Sequence, residues 1–337
     1  MVGAPGNIER VPTLLKRDEP EVSRLRAPPA HRWGELIFRG LASGGSLFVL
    51  LLIGAIALFL LLRAGPALQR AGWHFFTERQ WFPDDPKARF GIAALAFGTV
   101  LSSLLALLMA VPVALGTALF LTELAPGRIG RAIGSLVDLL AAVPSVVYGL
   151  WGVFVLVPKL IPVERWLNDH AGFVPLLHNR FGTYGRSVFA ASVVLAVMVL
   201  PIVAAISREV FSQVPQANRE AAVALGATRW ETIRLAVLPY GRSGIVGAIM
   251  LGLGRALGET IAVALVLAAS FSVNLHVLEP GGNTIAANIA TKFGEAGSGG
   301  RDALIASGLV LFAITLVVNV VARSVVYRTA LAAEGGP

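Results

Sequence analysis

The chain has 337 residues, of which 55% are hydrophobic and only 14% charged, with mean hydropathy +0.73 and a formal net charge of +8. A soluble domain carries roughly 25% charged residues, so lipid is the solvent for most of this chain, and the positive charge lies between apolar runs rather than on a nucleic-acid-binding face. There is no Cys, so redox compartment is not encoded and no disulfide framework is available.

Residues 1–39 are polar, basic and punctuated by Pro5, Pro12, Pro20, Pro28 and Pro29. Lacking apolar periodicity, they predict a disordered cytoplasmic tail. The first apolar run is too deep and too long for a cleaved signal peptide and predicts a retained anchor. Six segments are long enough to cross a bilayer as helices: Gly40–Leu62, Ile92–Leu121, Leu136–Val157, Ser187–Ala205, Gly244–Ala269 and Ala303–Val321. The expected fold is therefore an all-α integral membrane protein with six spans. Residues 40–91 supply the first span and an outer loop, 92–326 a core of the remaining five spans with the structured segment 208–242, and 327–337 a cytoplasmic C-terminal tail. Pro112, Pro144, Gly149 and Pro201 fall inside spans. Such breakers are tolerated where neighbouring helices or a cavity satisfy the freed backbone groups, which favours a bundle around a pathway. Segments that an N-inside topology places in the cytoplasm carry more Lys and Arg than the others, so both termini are expected inside.

Between the fourth and fifth spans, residues 208–242 read as structured. Pro215 suits a first helical turn, and Gly226 suits a left-handed helix stop. Thr228 and Glu231 match a capping box that starts a second helix. That helix carries Trp230, Ile233 and Val237 on one face, and Pro239 is expected to end it. The prediction is helix, sharp turn, helix on the inner face of the membrane, either resting at the lipid interface or gripped by a partner.

The fifth span places Arg255 near the bilayer centre, about 15 Å along a helix rising 1.5 Å per residue. A charge there costs about 2.5–3.5 kcal/mol on insertion scales. Glu259 follows one turn later, so one reading is a self-neutralising ion pair. However, Arg before Glu is the weaker order for such a pair, whose worth is about 0.2–0.5 kcal/mol. Two apolar residues would avoid the cost of burial altogether. The functional reading makes Arg255 a transient contact for an oxyanion, which its planar fork suits, with Glu259 holding the guanidinium when the path is empty. Gly254 and Gly258, and the stripe Gly244, Ala248 and Gly252, allow close helix approach and read as a seam with a second membrane subunit. Tyr148 and Ser145 are weaker pathway candidates, Asp138 is expected to pair with Arg131, and Lys292 and Glu295 read as solvated loop charges. No phosphate-binding G-x-x-x-x-G-K-[ST] loop and no metal-spaced cluster occurs in the sequence. The chain is thus expected to be no enzyme, to need no cofactor, and to draw energy from another polypeptide.

Glu220-Ala221-Ala222, Gly226 and Val237-Leu238-Pro239 resemble the EAA loop of binding-protein-dependent ABC importer permeases, with Ala236 departing from the family's usual Ile. The resemblance extends from about Gly40 over nearly the whole chain. It is carried by GWHFFTERQWFPDDPKARFG, AVPVALGTALFLTELAP, AAVPSVVYGLWG, REAAVALGATRWETIRLAVLP, LGLGRALGET and ANIATKFGEAG. Phe97 departs from the Tyr often found before Gly-Thr. These stretches are similar to PstC, the C-type permeases of phosphate-specific ABC importers. What the resemblance implies is a type I (MetI-like) permease fold in a bacterial plasma membrane. It further implies a PstA-like sister permease as heterodimer partner, a PstB-like ATPase homodimer and an extracytoplasmic PstS-like phosphate-binding protein. Glu220, Ala221, Ala222, Gly226 and Pro239 would then couple to the ATPase, and Arg255 and Glu259 would serve phosphate translocation. The rival readings are a sulfate or molybdate permease of the same architecture, an ion-gradient-driven transporter and a membrane-embedded enzyme.

Overall fold

The structure, a computed structural model, describes residues 29–125 and 127–334. Most of the tail expected over 1–39 lies outside the described residues, and α1 (Pro29–Ala71) already begins within it. The chain divides into two units, residues 1–55 and 56–337. In the first, the described residues form the opening part of α1, with Leu36, Phe38, Leu41 and Phe48 exposed, as a lipid-facing helix requires.

The second unit holds everything else. After α1 come a short α2 (His74–Thr77) and a two-residue hairpin, β1 (Trp81–Phe82) with β2 (Arg89–Phe90), pairing antiparallel with Trp81 opposite Phe90. Then follow α3 (Ala93–Leu119), extended by a π-helical turn at Phe120–Leu124, and α4 (Gly127–Ala141). Next are α5 (Ser145–Trp151), a π turn at Gly152–Leu156, α6 (Val157–Ala171) and α7 (Val188–Ser212). The chain closes with α8 (Gln216–Ala224), α9 (Arg229–Thr232), a π turn at Ile233–Val237, α10 (Leu238–Gly258), α11 (Ile261–Val266), α12 (Ile285–Lys292) and α13 (Ser298–Glu334). Six helical stretches among the described residues are long and apolar enough to span a membrane.

Two spans, the third and the fifth, differ most from their sequence-derived bounds. The third runs over Ser145–Ala171, not Leu136–Val157. Pro144 is extended and caps α5 rather than kinking a helix, because proline disfavours helical geometry in the residue before it. The preceding Gly127–Ala141 is a separate amphipathic helix. The fifth span begins earlier, at Arg229, and its helix stops at Gly258. Pro239 does not end a helix: it sits in the first turn of α10, where a missing N–H is harmless, and the π turn before it carries the chain through.

Helix α7 is the central element. Its side chains Leu195, Met198, Val199, Val203 and Phe211 are buried, and its most extensive packing is against α3. The reason lies in α3, where Ala94, Gly98, Ser102, Ala106, Ala110, Ala114 and Ala118 recur every fourth residue and are all buried. An unbroken ridge of small side chains lets two helices approach closely where no hydrophobic force separates protein from lipid. Helix α10 packs against both α7 and α3: a Cβ on Gly252 would meet Val199 Cγ1 at 2.7 Å and Val203 Cγ2 at 2.8 Å on α7, and Leu107 Cδ2 at 3.7 Å on α3. The Gly244–Ala248–Gly252 stripe therefore serves packing within the chain and not a seam between subunits. Gly254 and Gly258 have open space beside them.

Candidate functional site

At one end of the second unit, three loops are stitched together. Arg180 donates to Glu279 through its backbone N–H (3.1 Å) and its Nε (3.1 Å), and Asn274 donates to the same carboxylate. Asn179 donates to the carbonyls of Thr183 and Leu278. Burial alone would raise the Glu279 carboxyl; the Arg180 and Asn274 donors outweigh it and hold it below the ordinary range. Asp84, in the loop between β1 and β2, accepts from the backbone N–H groups of Gly297 and Gly300, so it satisfies orphan donors at the start of α13. Lys292 and Glu295 pair with each other at 3.4 Å and are solvated, as expected.

The opposite end carries the helical knuckle. Pro215 is extended and precedes the first turn of α8, which closes at Ala224. Gly226 then takes φ +83°, with its N–H bonded to Val223 O (2.9 Å) and the Ala227 N–H to Ala222 O (3.1 Å). That pattern is a Schellman ending, available because glycine pays no penalty in the left-handed region. Thr228 and Glu231 form the full capping box: the Thr228 Oγ1 accepts from the Glu231 N–H, and Glu231 Oε2 accepts from the Thr228 N–H at 2.7 Å. Glu220, Ala221, Val223 and Leu225 are exposed, Leu225 at 90%. Ala221, Ala222, Gly226 and Pro239 line one concavity of about 670 Å³ between α8 and the second helix. Of the five residues expected to couple to a partner, the structure brings four together and leaves Glu220 exposed outside the concavity; Trp230 does not share a face with Ile233 and Val237, because it is exposed while those two are buried in the π turn.

Charged groups lie just behind it, around one cavity of about 830 Å³. Arg219, in the first turn of α8, donates to the carbonyls of Val214 and Phe211 and to Glu123 Oε1 at 2.9 Å. Glu123 belongs to the π turn that finishes the α3 span. Asp138 pairs with Arg208 at 2.9 Å, not with Arg131, whose Nε donates instead to Gly127 O within α4.

In the fifth span, Arg255 and Glu259 are not brought together. The helix stays regular through Gly258 and ends at Glu259, where ψ is 128°, and the Glu259 carboxylate is engaged beyond that break instead of by the arginine one turn before it. Glu259 is buried and accepts from the Ala262 N–H (3.3 Å), capping α11. Arg255 lines a cavity of about 740 Å³ between α10 and α13 with Met250, Gly254, Asn319 and Arg323, and its Nε is buried without a hydrogen-bond partner. A buried donor left unpaired costs free energy unless something else fills its place. Tyr148 is accounted for by packing: it is buried and its hydroxyl donates to Leu140 O.

A family model of binding-protein-dependent transport system inner membrane components matches residues 110–330. The chain belongs to this family. Among similar proteins, the phosphate transport system permease protein PstC 2 of Mycobacterium tuberculosis is 48% identical over 311 residues, 91% of this chain and 96% of the relative. The phosphate transport system permease protein PstC of Xylella fastidiosa is 44% identical over 297 residues, 87% of this chain and 91% of the relative. Among solved structures, the bacterial alginate ABC transporter in complex with an alginate pentasaccharide-bound periplasmic protein superposes with TM-score 0.55 at 17% identity, over 86% of this chain and 95% of that one. The MetNI methionine ABC transporter in an inward-facing conformation gives TM-score 0.50 at 17% identity, over 69% and 93%. At such identities the likeness is one of fold, and the fold of this inner membrane component is that of the type I ABC importer permeases.

Sequence reasoning passed over two features of this permease. The small-residue ridge of α3 was legible as a four-residue repeat beginning at Ala94. Arg219 was not marked by any pattern except its place, since a cation in the first turn of a helix opposes the helix dipole and needs a reason.

Proposed function

We propose that this permease subunit translocates inorganic phosphate across a bacterial plasma membrane, driven by ATP hydrolysis on a separate subunit. The observation that carries the reading is Arg255: a guanidinium on the fifth span, facing a cavity, with a buried N–H and no carboxylate within pairing distance among the described residues. Its fork can donate two parallel hydrogen bonds to a phosphate, and one such contact is weak enough to release the ion onward. Glu259 enters differently from the sequence expectation. Instead of neutralising Arg255, it holds the first turn of α11 and so keeps the break in the span beside the arginine.

In this reading the knuckle lies in the cytoplasm, as do both termini. Glu220, Ala221, Ala222 and Gly226 dock a PstB-like ATPase dimer, with Pro239 at the root of the second helix. A PstA-like sister permease completes the pathway, consistent with the open faces of Gly254 and Gly258, and a PstS-like binding protein delivers phosphate to the stitched loops. The names of the relatives support phosphate over sulfate or molybdate as cargo. The test is radiolabelled uptake by the purified complex in liposomes, phosphate against sulfate, with wild type and Arg255→Gln. Phosphate uptake lost in the variant, with subunits still co-purifying, is expected. Unchanged uptake, or preference for sulfate, overturns the assignment.

A further inference from the structure

The knuckle must do more than bind: it has to pass movement into the spans. Helix α8 has no buried residue, so apolar packing cannot fix its angle. Its neighbours are α9 and the π turn that follows, which belong to the fifth span. Among the described residues, one side chain of α8 hydrogen-bonds to other elements. The Arg219 guanidinium reaches Glu123 at the end of the α3 span, and also the Phe211 and Val214 carbonyls where the α7 span gives out. Both partners of the ion pair are shielded, at 20% and 13% side-chain exposure.

Two further observations argue against an incidental surface pair. A cation in the first turn of α8 is unfavourable to that helix on its own, so helix stability does not explain the residue. The carbonyls it reaches lie where α7 ends; Phe211 O also accepts from the Val214 N–H, and the guanidinium adds a charge-assisted donor at that point while it grips α3. The other charges lining the cavity that Arg219 and Glu123 border are either paired, as Asp138 with Arg208, or tied locally, as Glu209 with Gln213 and Arg131 with Gly127.

We propose that the Arg219–Glu123 pair is a latch that carries displacement of the coupling helix α8 into the second span. It is a positioning element, touching neither nucleotide nor cargo, and the inference rests on the importer reading above. The fourth and fifth spans follow α8 through the chain itself, by residues 213–215 on one side and by α9 on the other, while the second is driven through the guanidinium. Breaking the latch therefore leaves the ATPase bound and turning over, but moves only part of the pathway.

The test measures phosphate taken up per ATP hydrolysed by the complete reconstituted transporter carrying Arg219→Met, Glu123→Gln or both. Each single substitution is expected to lower that ratio about tenfold, the order that losing one charge-assisted hydrogen bond produces, with ATPase co-purification intact. The double variant should be no worse than the worse single, because both act through one contact. An unchanged ratio in Glu123→Gln, or effects that multiply in the double variant, overturns the latch. If Arg219→Met fails to assemble, the isosteric Glu123→Gln decides alone. A wild-type complex that retains no ATPase or moves no phosphate would instead overturn the importer reading, so the two failures are told apart.

Discussion

The sharpest perturbation is at Gly226. A Cβ added there would have nothing within 4 Å in this chain, so within the subunit the effect of substitution is conformational and not steric, and ATPase binding measured alongside reads any effect on docking. At φ +83° an L-residue sits in the left-handed region, at a cost of roughly 1–2 kcal/mol for Ala, with less for Asn, which visits that region readily, and more for a β-branched side chain. That range corresponds to a factor of about 5–30 between the bent knuckle and its relaxed alternatives. The bend is closed by two backbone hydrogen bonds that exist only in this geometry, so the relaxed form also loses the fixed angle between α8 and α9. The expected order of phosphate uptake is wild type, then Gly226→Asn, Gly226→Ala and Gly226→Val, with uptake in the Val variant below a tenth of wild type. Membrane insertion should be unaffected, because the residue lies outside the apolar core of every span. The assay is uptake into proteoliposomes at matched transporter density, with ATPase binding measured alongside. Normal uptake in Gly226→Val, or an Asn variant worse than the Val variant, would refute the reasoning.

Two further outcomes follow from packing and protonation. Gly252→Ala places a methyl group within 2.8 Å of two valine side chains of α7, an overpacking worth roughly 1–3 kcal/mol. Its unfolding midpoint in detergent should fall, while Gly254→Ala, with open space beside it, leaves the midpoint of the isolated subunit unchanged; equal shifts would show that the α7–α10 contact is misplaced. Glu279 is held below its ordinary value, so its ties to Arg180 and Asn274 contribute fully above the unfolded value near 4.5 and are lost as pH falls through the lower folded value. Amide protection over residues 274–282 should therefore drop only below about pH 4.5 in wild type, and stay low at every pH in Glu279→Gln. Protection that ignores pH in wild type would show that the carboxylate does not hold the loops.

The local features of the knuckle were legible because each depends on a few consecutive residues. A glycine where only φ > 0 closes the helix and a Thr-x-x-Glu cap are written in the chain itself, and both took the expected form. The existence of six spans was legible for a similar reason, since length and apolarity alone decide whether a segment enters lipid. Pairings across the bundle were not. Asp138 found Arg208 on α7 in place of Arg131 nearby, and Arg255 lost Glu259 although every residue between them is helical. A one-turn spacing makes contact possible without securing it: the helix ends at Glu259, and its carboxylate accepts from the Ala262 N–H beyond the break. The Gly244–Gly252 stripe looked like a subunit seam because small residues invite any helix; packing in three dimensions gave that invitation to α7. The sequence by itself determined which segments are lipid-soluble and where the backbone must bend, because those are single-residue and short-range energies. Only the tertiary structure decided which charges meet, because that depends on distances between residues 70 or more positions apart, fixed by how closely an alanine ridge lets α3 approach α7.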